Sequence, residues 1–245
     1  MKCFGTFTVY LGEERREMNW RTKKAAELFA YLYECQGKTV KRNDLLGILW
    51  PDDSPNNAVA MLHNMLYNIR KELTPFGIQG LIEYTNREYI MDTASISSDF
   101  DKIQQVCYAV ERKDVDSLAE NKTLFFEYWG TYMEGIENTW CSHKKYYFEQ
   151  CFINGCNLLG TYLMQNGVWE DAAKVLQAGI EIDVYSENLA INLMRCYAGI
   201  NDKKRGKRFY ERICGVYRSE LDIEPGRDFV RAYEECMNGL SKLSV

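Results

Sequence analysis

The chain has 245 residues, enough for two average domains, with 46% hydrophobic and 27% charged residues and only four prolines, an ordinary globular composition. No apolar run approaches the roughly 18 residues of a membrane span, and the opening MKCFGTFTVY lacks the basic-then-apolar layout of a signal peptide, so a cytoplasmic chain with no membrane partner is expected. The net charge of −5 is unevenly placed: residues 1–92 carry 12 basic and 12 acidic side chains, and residues 93–245 carry 18 and 23. A nucleic-acid partner is therefore permitted for the first half, where the local face matters more than the total.

Residues 2–11 read as a strand, with Cys3, Phe7 and Val9 separated by multiples of two, and the polar stretch to Trp20 completes a small sheet. The period then changes. In the segment 21–38, Ala25, Leu28, Phe29, Leu32 and Cys35 recur at three and four, and Gly37 supplies a stop. Thr39 and Val40 form a short extended link. A second, short helix follows at 41–50 with Leu45, Leu46 and Leu49 inward, ended by Pro51 and joined tightly to the next. A turn at 52–57 offers Ser54 as N-cap and Pro55 at the first position of a third helix running to about Leu73. Residues 78–92 make two short strands around Thr85-Asn86-Arg87, a hairpin. Sheet, three helices and hairpin in this order predict a winged helix-turn-helix, whose second and third helices would place one helix in a DNA groove.

On a wheel of about 100° per residue, Ala58, Met65, Leu66, Ile69 and Leu73 fall within roughly 60° of Leu62 and form the inward stripe of the third helix. Ala60, His63, Asn64, Tyr67 and Lys71 point the other way, with Asn68 and Arg70 at the flanks. An outward face of imidazole, amide, phenol and cation, without a carboxylate until Glu72, suits base edges and phosphates; a plain solvated face would mix in more glutamate. Arg42 at a helix start and Arg87 at the hairpin tip add two phosphate-facing cations.

The second half reads as helix throughout, with helices expected at 99–112, 115–122, 140–165, 170–182, 187–200, 203–221 and 227–240. An internal offset of 34 aligns Gly167 with Asn201, Ala172 with Gly206 and Leu176 with Tyr210, the mark of tetratricopeptide-like helix pairs. The fold class is thus mainly α: a winged helix over residues 1–95, then an all-α repeat domain over residues 96–245. The nine cysteines are odd in number, scattered and without a CxxC pair, which predicts free buried thiols and no zinc site. Neither His63 nor His143 stands in a nucleophile or metal signature, so no catalytic residue, cofactor or metal is expected. The basic run 203–208 (KKRGKR) reads as a solvated helix face, with a second phosphate contact as the alternative.

The run from Arg21 to Leu73 resembles the OmpR/PhoB-type winged helix of SARP-type antibiotic regulators. The second half resembles the bacterial transcriptional activator domain that follows it in those proteins. The matching pieces are Ser98-Asp99-Phe100, the Tyr128–Gly135 run with its two glycines, Trp140, and ELDIEP at 220–225. The resemblance implies a sequence-specific regulator that binds repeated promoter sites on double-stranded DNA, as a homodimer or in tandem, and contacts RNA polymerase. Its recognition positions fall on His63, Asn64, Tyr67, Asn68, Arg70 and Lys71. Ala60 and Met61 replace polar side chains common early in the family's recognition helix, so base preference does not transfer. These two residues also favour the alternative, a protein-interaction scaffold whose winged helix no longer binds DNA.

Overall fold

The computed structural model describes residues 1–238, and the chain divides into two compact units. The first comprises Met1–Asp101 with Gly130–Tyr146, the second Lys102–Trp129 with the chain from Tyr147 onward. The single boundary expected after residue 95 differs from this division, because residues 96–101 and 130–146 lie in the first unit.

The first unit opens with residues 1–9, which fold back on themselves at Gly5 (φ +80) instead of forming one strand. Lys2 bridges Thr8, while Phe4 bridges Tyr132 and Thr6 bridges Glu134. The fold-back is why Cys3, Phe4, Phe7, Thr8 and Val9 are all buried, where simple alternation would bury every second residue. Strands β1 (Tyr10–Leu11) and β2 (Arg16–Glu17) pair next. Helix α1 (Lys23–Glu34) starts where Thr22 Oγ1 accepts from Ala25 N at 3.1 Å, and it buries Leu28, Phe29 and Leu32. Gln36 and Gly37, both at positive φ, end the turn after it. Then come β3 (Val40–Lys41), α2 (Arg42–Leu49) and α3 (Pro55–Leu73), followed by β4 (Ile82–Thr85) and β5 (Glu88–Met91) in a three-stranded antiparallel sheet of order β3-β5-β4. The α2–α3 connection, Trp50–Ser54, is longer than the tight turn expected, and buried Trp50 anchors it. Ser54 stands at the N-cap of α3 without a side-chain capping bond.

The Ser98-Asp99-Phe100 motif is structural. Asp99 Oδ1 accepts from Cys3 N at 2.7 Å and Oδ2 from Phe4 N at 3.2 Å, while the Ser98 hydroxyl bonds Tyr33 Oη at 2.8 Å and accepts from Phe100 N. The two acidic residues of α1 tie in residues 130–146: Tyr132 and Lys144 both bond Glu34, and Asn138 donates to Glu27 and to the Ile48 carbonyl. Gly130 (φ +92) meets Gly5 so closely that a Cβ would lie 2.5 Å from Gly5 N. Only glycine fits there.

The second unit is all-helical: α4 (Phe100–Arg112, from Lys102 on), α5 (Val115–Glu120), α6 (Thr139–Gln165, from Tyr147 on), α7 (Trp169–Ile182), α8 (Glu187–Ile200), α9 (Lys203–Val216) and α10 (Arg227–Asn238). The last helix was expected to reach residue 240, and its final two positions lie outside the described residues. The 34-residue offset is physical. Gly167 (φ +73) and Asn201 (φ +60) both close a helix in the left-handed conformation, and in each case the next N–H reaches back five residues, Val168 N to Leu163 O and Asp202 N to Tyr197 O, at 2.9 Å. Small residues bring helices together: a Cβ on Gly160 would lie 2.6 Å from the Leu176 side chain, and one on Gly206 2.7 Å from Cys236 Sγ. After α9 the second copy departs from the first, inserting a π-helical turn at Tyr217–Leu221 where α helix was expected to continue.

Candidate nucleic-acid interface

Helix α3 buries Ala58, Leu62, Leu66, Ile69 and Leu73, the expected stripe, while Met65 is only half-buried. His63, Tyr67 and Lys71 are exposed and spaced by four, so they drift only about 40° per step and form one outward stripe. Tyr67 is 65% exposed, a large aromatic left in solvent in the middle of that stripe. Asn64 is exposed beside it, and half-buried Asn68 donates its amide N–H to Asn64 Oδ1 at 3.4 Å. Both asparagines also line a small cavity of about 100 Å³ with Met18, Trp20 and Arg21. The one carboxylate at the end of this helix, Glu72, is paired with Arg16 at 3.4 Å.

The hairpin turns through two residues, Asn86 (φ +54) and Arg87 (φ +66), closing the Thr85–Glu88 pair. Left-handed φ at both positions is the geometry that matches the twist of a two-residue hairpin. Arg87 is exposed at the tip, and its carbonyl accepts from Arg42 N at 2.9 Å, which joins the start of α2 to the wing.

The two remaining arginines are placed differently from the free cations expected. Arg70 is half-buried and donates from Nη2 to the Ile82 carbonyl at 2.9 Å, linking the last turn of α3 to the first residue of β4. Arg42 is half-buried, with Nε enclosed and without a hydrogen-bond partner. Burial pushes the phenol of Tyr89 up, Tyr84 adds to the rise, and the charges of Arg42 and Arg70 pull it back. Tyr84, 41% exposed, packs on Tyr89 with the rings tilted by 31° and their centroids 4.6 Å apart. Tyr84 belongs with the candidate face and was not singled out from sequence; its signal was weak, an aromatic at one position of a short strand. The geometry thus separates an outward set (His63, Asn64, Tyr67, Lys71, Arg87) from a wing-root set (Arg42, Arg70, Tyr84, Tyr89).

In the second unit the basic run 203–208 is partly neutralised. Arg205 bonds Asp202 at 2.7 Å and Glu170 at 3.2 Å, Lys207 lies 3.9 Å from Glu211, and Gly206 is buried; Lys203, Lys204 and Arg208 are exposed. Among the described residues no group of three or more His, Cys, Asp or Glu side chains is arranged to hold a metal, and no helix is long and apolar enough to cross a membrane.

Residues 120–237 match the family model of the bacterial transcriptional activator domain. A comparison with curated proteins finds no match. Among solved structures, one of Mycobacterium tuberculosis EmbR in complex with a low-affinity phosphopeptide is similar in fold, with a TM-score of 0.66 at 17% identity; the match covers 97% of this chain and 64% of that one. The chain thus spans under two thirds of that protein's length. The match to the bacterial transcriptional activator domain lies behind a winged-helix order of three helices and a hairpin, and the likeness to the EmbR structure is one of fold.

Proposed function

We propose that the chain is a cytoplasmic transcriptional activator whose winged helix binds repeated promoter sites on double-stranded DNA, as a homodimer or in tandem, and whose helical unit contacts RNA polymerase. The observation that carries DNA binding is the outward stripe of α3. His63, Asn64, Tyr67 and Lys71 stand exposed on one helix of a winged helix, with Glu72 engaged by Arg16. Such a face offers donors, acceptors and a ring to base edges in a major groove, with Lys71 and Arg87 for flanking phosphates. Arg42 and Arg70 act at the wing root, where they hold the angle between helix and hairpin and leave guanidinium N–H groups for the backbone of the DNA. Asn68 supports Asn64.

A mobility-shift titration of the full chain on the DNA upstream of its own gene, at low and moderate salt, tests this reading. Tyr67→Ala and Asn64→Ala each weaken specific binding by about 1–3 kcal/mol. Arg87→Ala lowers affinity for all sequences alike and reduces the salt slope by about 1. Replacing Lys203, Lys204 and Arg208 by alanine leaves binding unchanged. Wild-type binding by the Tyr67 and Asn64 variants overturns the recognition-helix assignment, and no binding of any duplex at low salt favours the protein-interaction scaffold instead.

A further inference from the structure

We propose that the first unit binds a small amphipathic monocarboxylate in a cavity whose mouth carries Arg15. The cavity measures about 440 Å³, and all its lining residues belong to the first unit. Sites for small organic ligands span roughly 300–1,000 Å³, with an apolar lining and a few polar groups that fix orientation. At roughly 30 Å³ for each water-sized group, this one has room for about 10–15 heavy atoms. The cavity of about 100 Å³ beside Asn64 is too small for such a ligand.

The lining divides into an apolar floor and a polar rim. Val9, Leu11, Phe29 of α1, Leu73 at the end of α3 and Leu81 just ahead of β4 form the floor, and all five are buried. They come from separate segments of one core, so the floor is fixed by the fold and not by a single loop. Ile78, 38% exposed, and half-buried Ile96 carry the apolar surface out to the opening. Apolar surface that reaches water in this way gains by being covered. The rim holds Arg15, Ser95 and Ser97, all exposed. Met1 N donates to the Ser97 carbonyl at 2.5 Å, which ties this segment to the start of the chain.

Charge selects the head group. Arg15 sits at φ +53 in the turn between β1 and β2, where its N–H donates to the Gly12 carbonyl at 3.2 Å. Its guanidinium lies over the ring of Tyr10, 4.9 Å from the centroid, and Tyr10 lines the cavity too. Stacking on a ring leaves the guanidinium N–H edges free to donate. None of the ion pairs among the described residues uses Arg15. Glu13 and Glu14, in the same turn, are exposed and do not line the cavity, and none of the described residues that do is acidic. A guanidinium without a counter-charge beside an apolar floor suits one carboxylate, held by two parallel N–H···O bonds, with an uncharged body beneath it. A cationic ligand would be repelled.

The test is isothermal titration calorimetry of the full chain at pH 7 with octanoate, 1-octanol and octylamine, which share one alkyl chain and differ in head group. The expected result is one saturable site for octanoate, binding by 1-octanol weaker by about ten-fold or more, and none by octylamine. Arg15→Asn keeps a residue that tolerates left-handed φ at an exposed position, so the fold is retained while the charge is removed. It should lower octanoate affinity about ten-fold, to the level of 1-octanol. Ile96→Trp fills the opening and should abolish binding of both. Titrations of octanoate that do not saturate, equal affinity for octanoate and 1-octanol, or an octanoate affinity unchanged in Arg15→Asn each overturn the proposal, and the last of these holds even if the Ile96 variant fails to fold.

Discussion

Each of the two units is built internally from contacts of a different reach. In the first, Cys3 bonds Asp99 across 96 residues, Tyr132 bonds Glu34 across 98 and Asn138 bonds Glu27 across 111. In the second, Asn157–Asn192, Glu170–Arg205 and Tyr185–Glu220 are each 35 residues apart, close to one repeat. Repeat contacts of this kind make stability nearly a sum over neighbouring helix pairs, whereas the first unit gains little until distant segments meet. The lesson is that the winged-helix unit is not contained in the first 95 residues. Its N-terminal segment is completed by Thr131–Glu134, and both acidic side chains of α1 are satisfied by residues beyond 130.

The sharpest way to break this comparison is Gly130→Ala. A Cβ there lies 2.5 Å from backbone that cannot move cheaply, at φ +92, so the first unit loses about 2–4 kcal/mol. Urea unfolding with hydrogen exchange at residues 2–8 reads it, and a loss under about 1 kcal/mol would show that the N-terminal fold-back contributes little. Asp99→Ala should cost about 1.5–3 kcal/mol, because it orphans the Cys3 and Phe4 amides together; equal melting of wild type and variant would mean that water replaces the carboxylate.

In the helical unit, Gly206→Ala meets the Cys236 sulfur at 2.7 Å, the end of a side chain that can rotate, so a smaller loss of about 1–2 kcal/mol is expected. That loss should stay in the second unit, and exchange in the first should be untouched. The smallest effect is electrostatic. Lys122 hydrogen-bonds Asp171 at 2.6 Å and holds its carboxyl below the usual value. A depressed acid stabilises above its unfolded value of about 4, and the contribution disappears as pH falls through the lower folded value. Asp171→Asn therefore costs about 0.5–1 kcal/mol at pH 7 and nothing near pH 2. A melting difference that persists at pH 2 would assign the loss to packing.

The periodicities alone determined most of the local structure. Leu28/Leu32, Leu45/Leu49 and Leu62/Leu66/Ile69 lie on the faces that are buried, the hairpin turns at Asn86-Arg87, and the 34-residue offset reappears as paired left-handed caps at Gly167 and Asn201. Hydrophobic spacing, caps and turn residues act within a few positions, so they can be read without knowing the fold. The outward stripe of α3 is legible for the same reason, since a helix wheel needs only the helix. What the tertiary structure decided were the pairings across long stretches of chain. The division into units, the roles of Asp99, Glu27 and Glu34, and the inward commitment of Arg42 and Arg70 all depend on which distant segment arrives. No local pattern encodes that, because the free energy of such contacts is realised only when loop closure has brought both partners into one core.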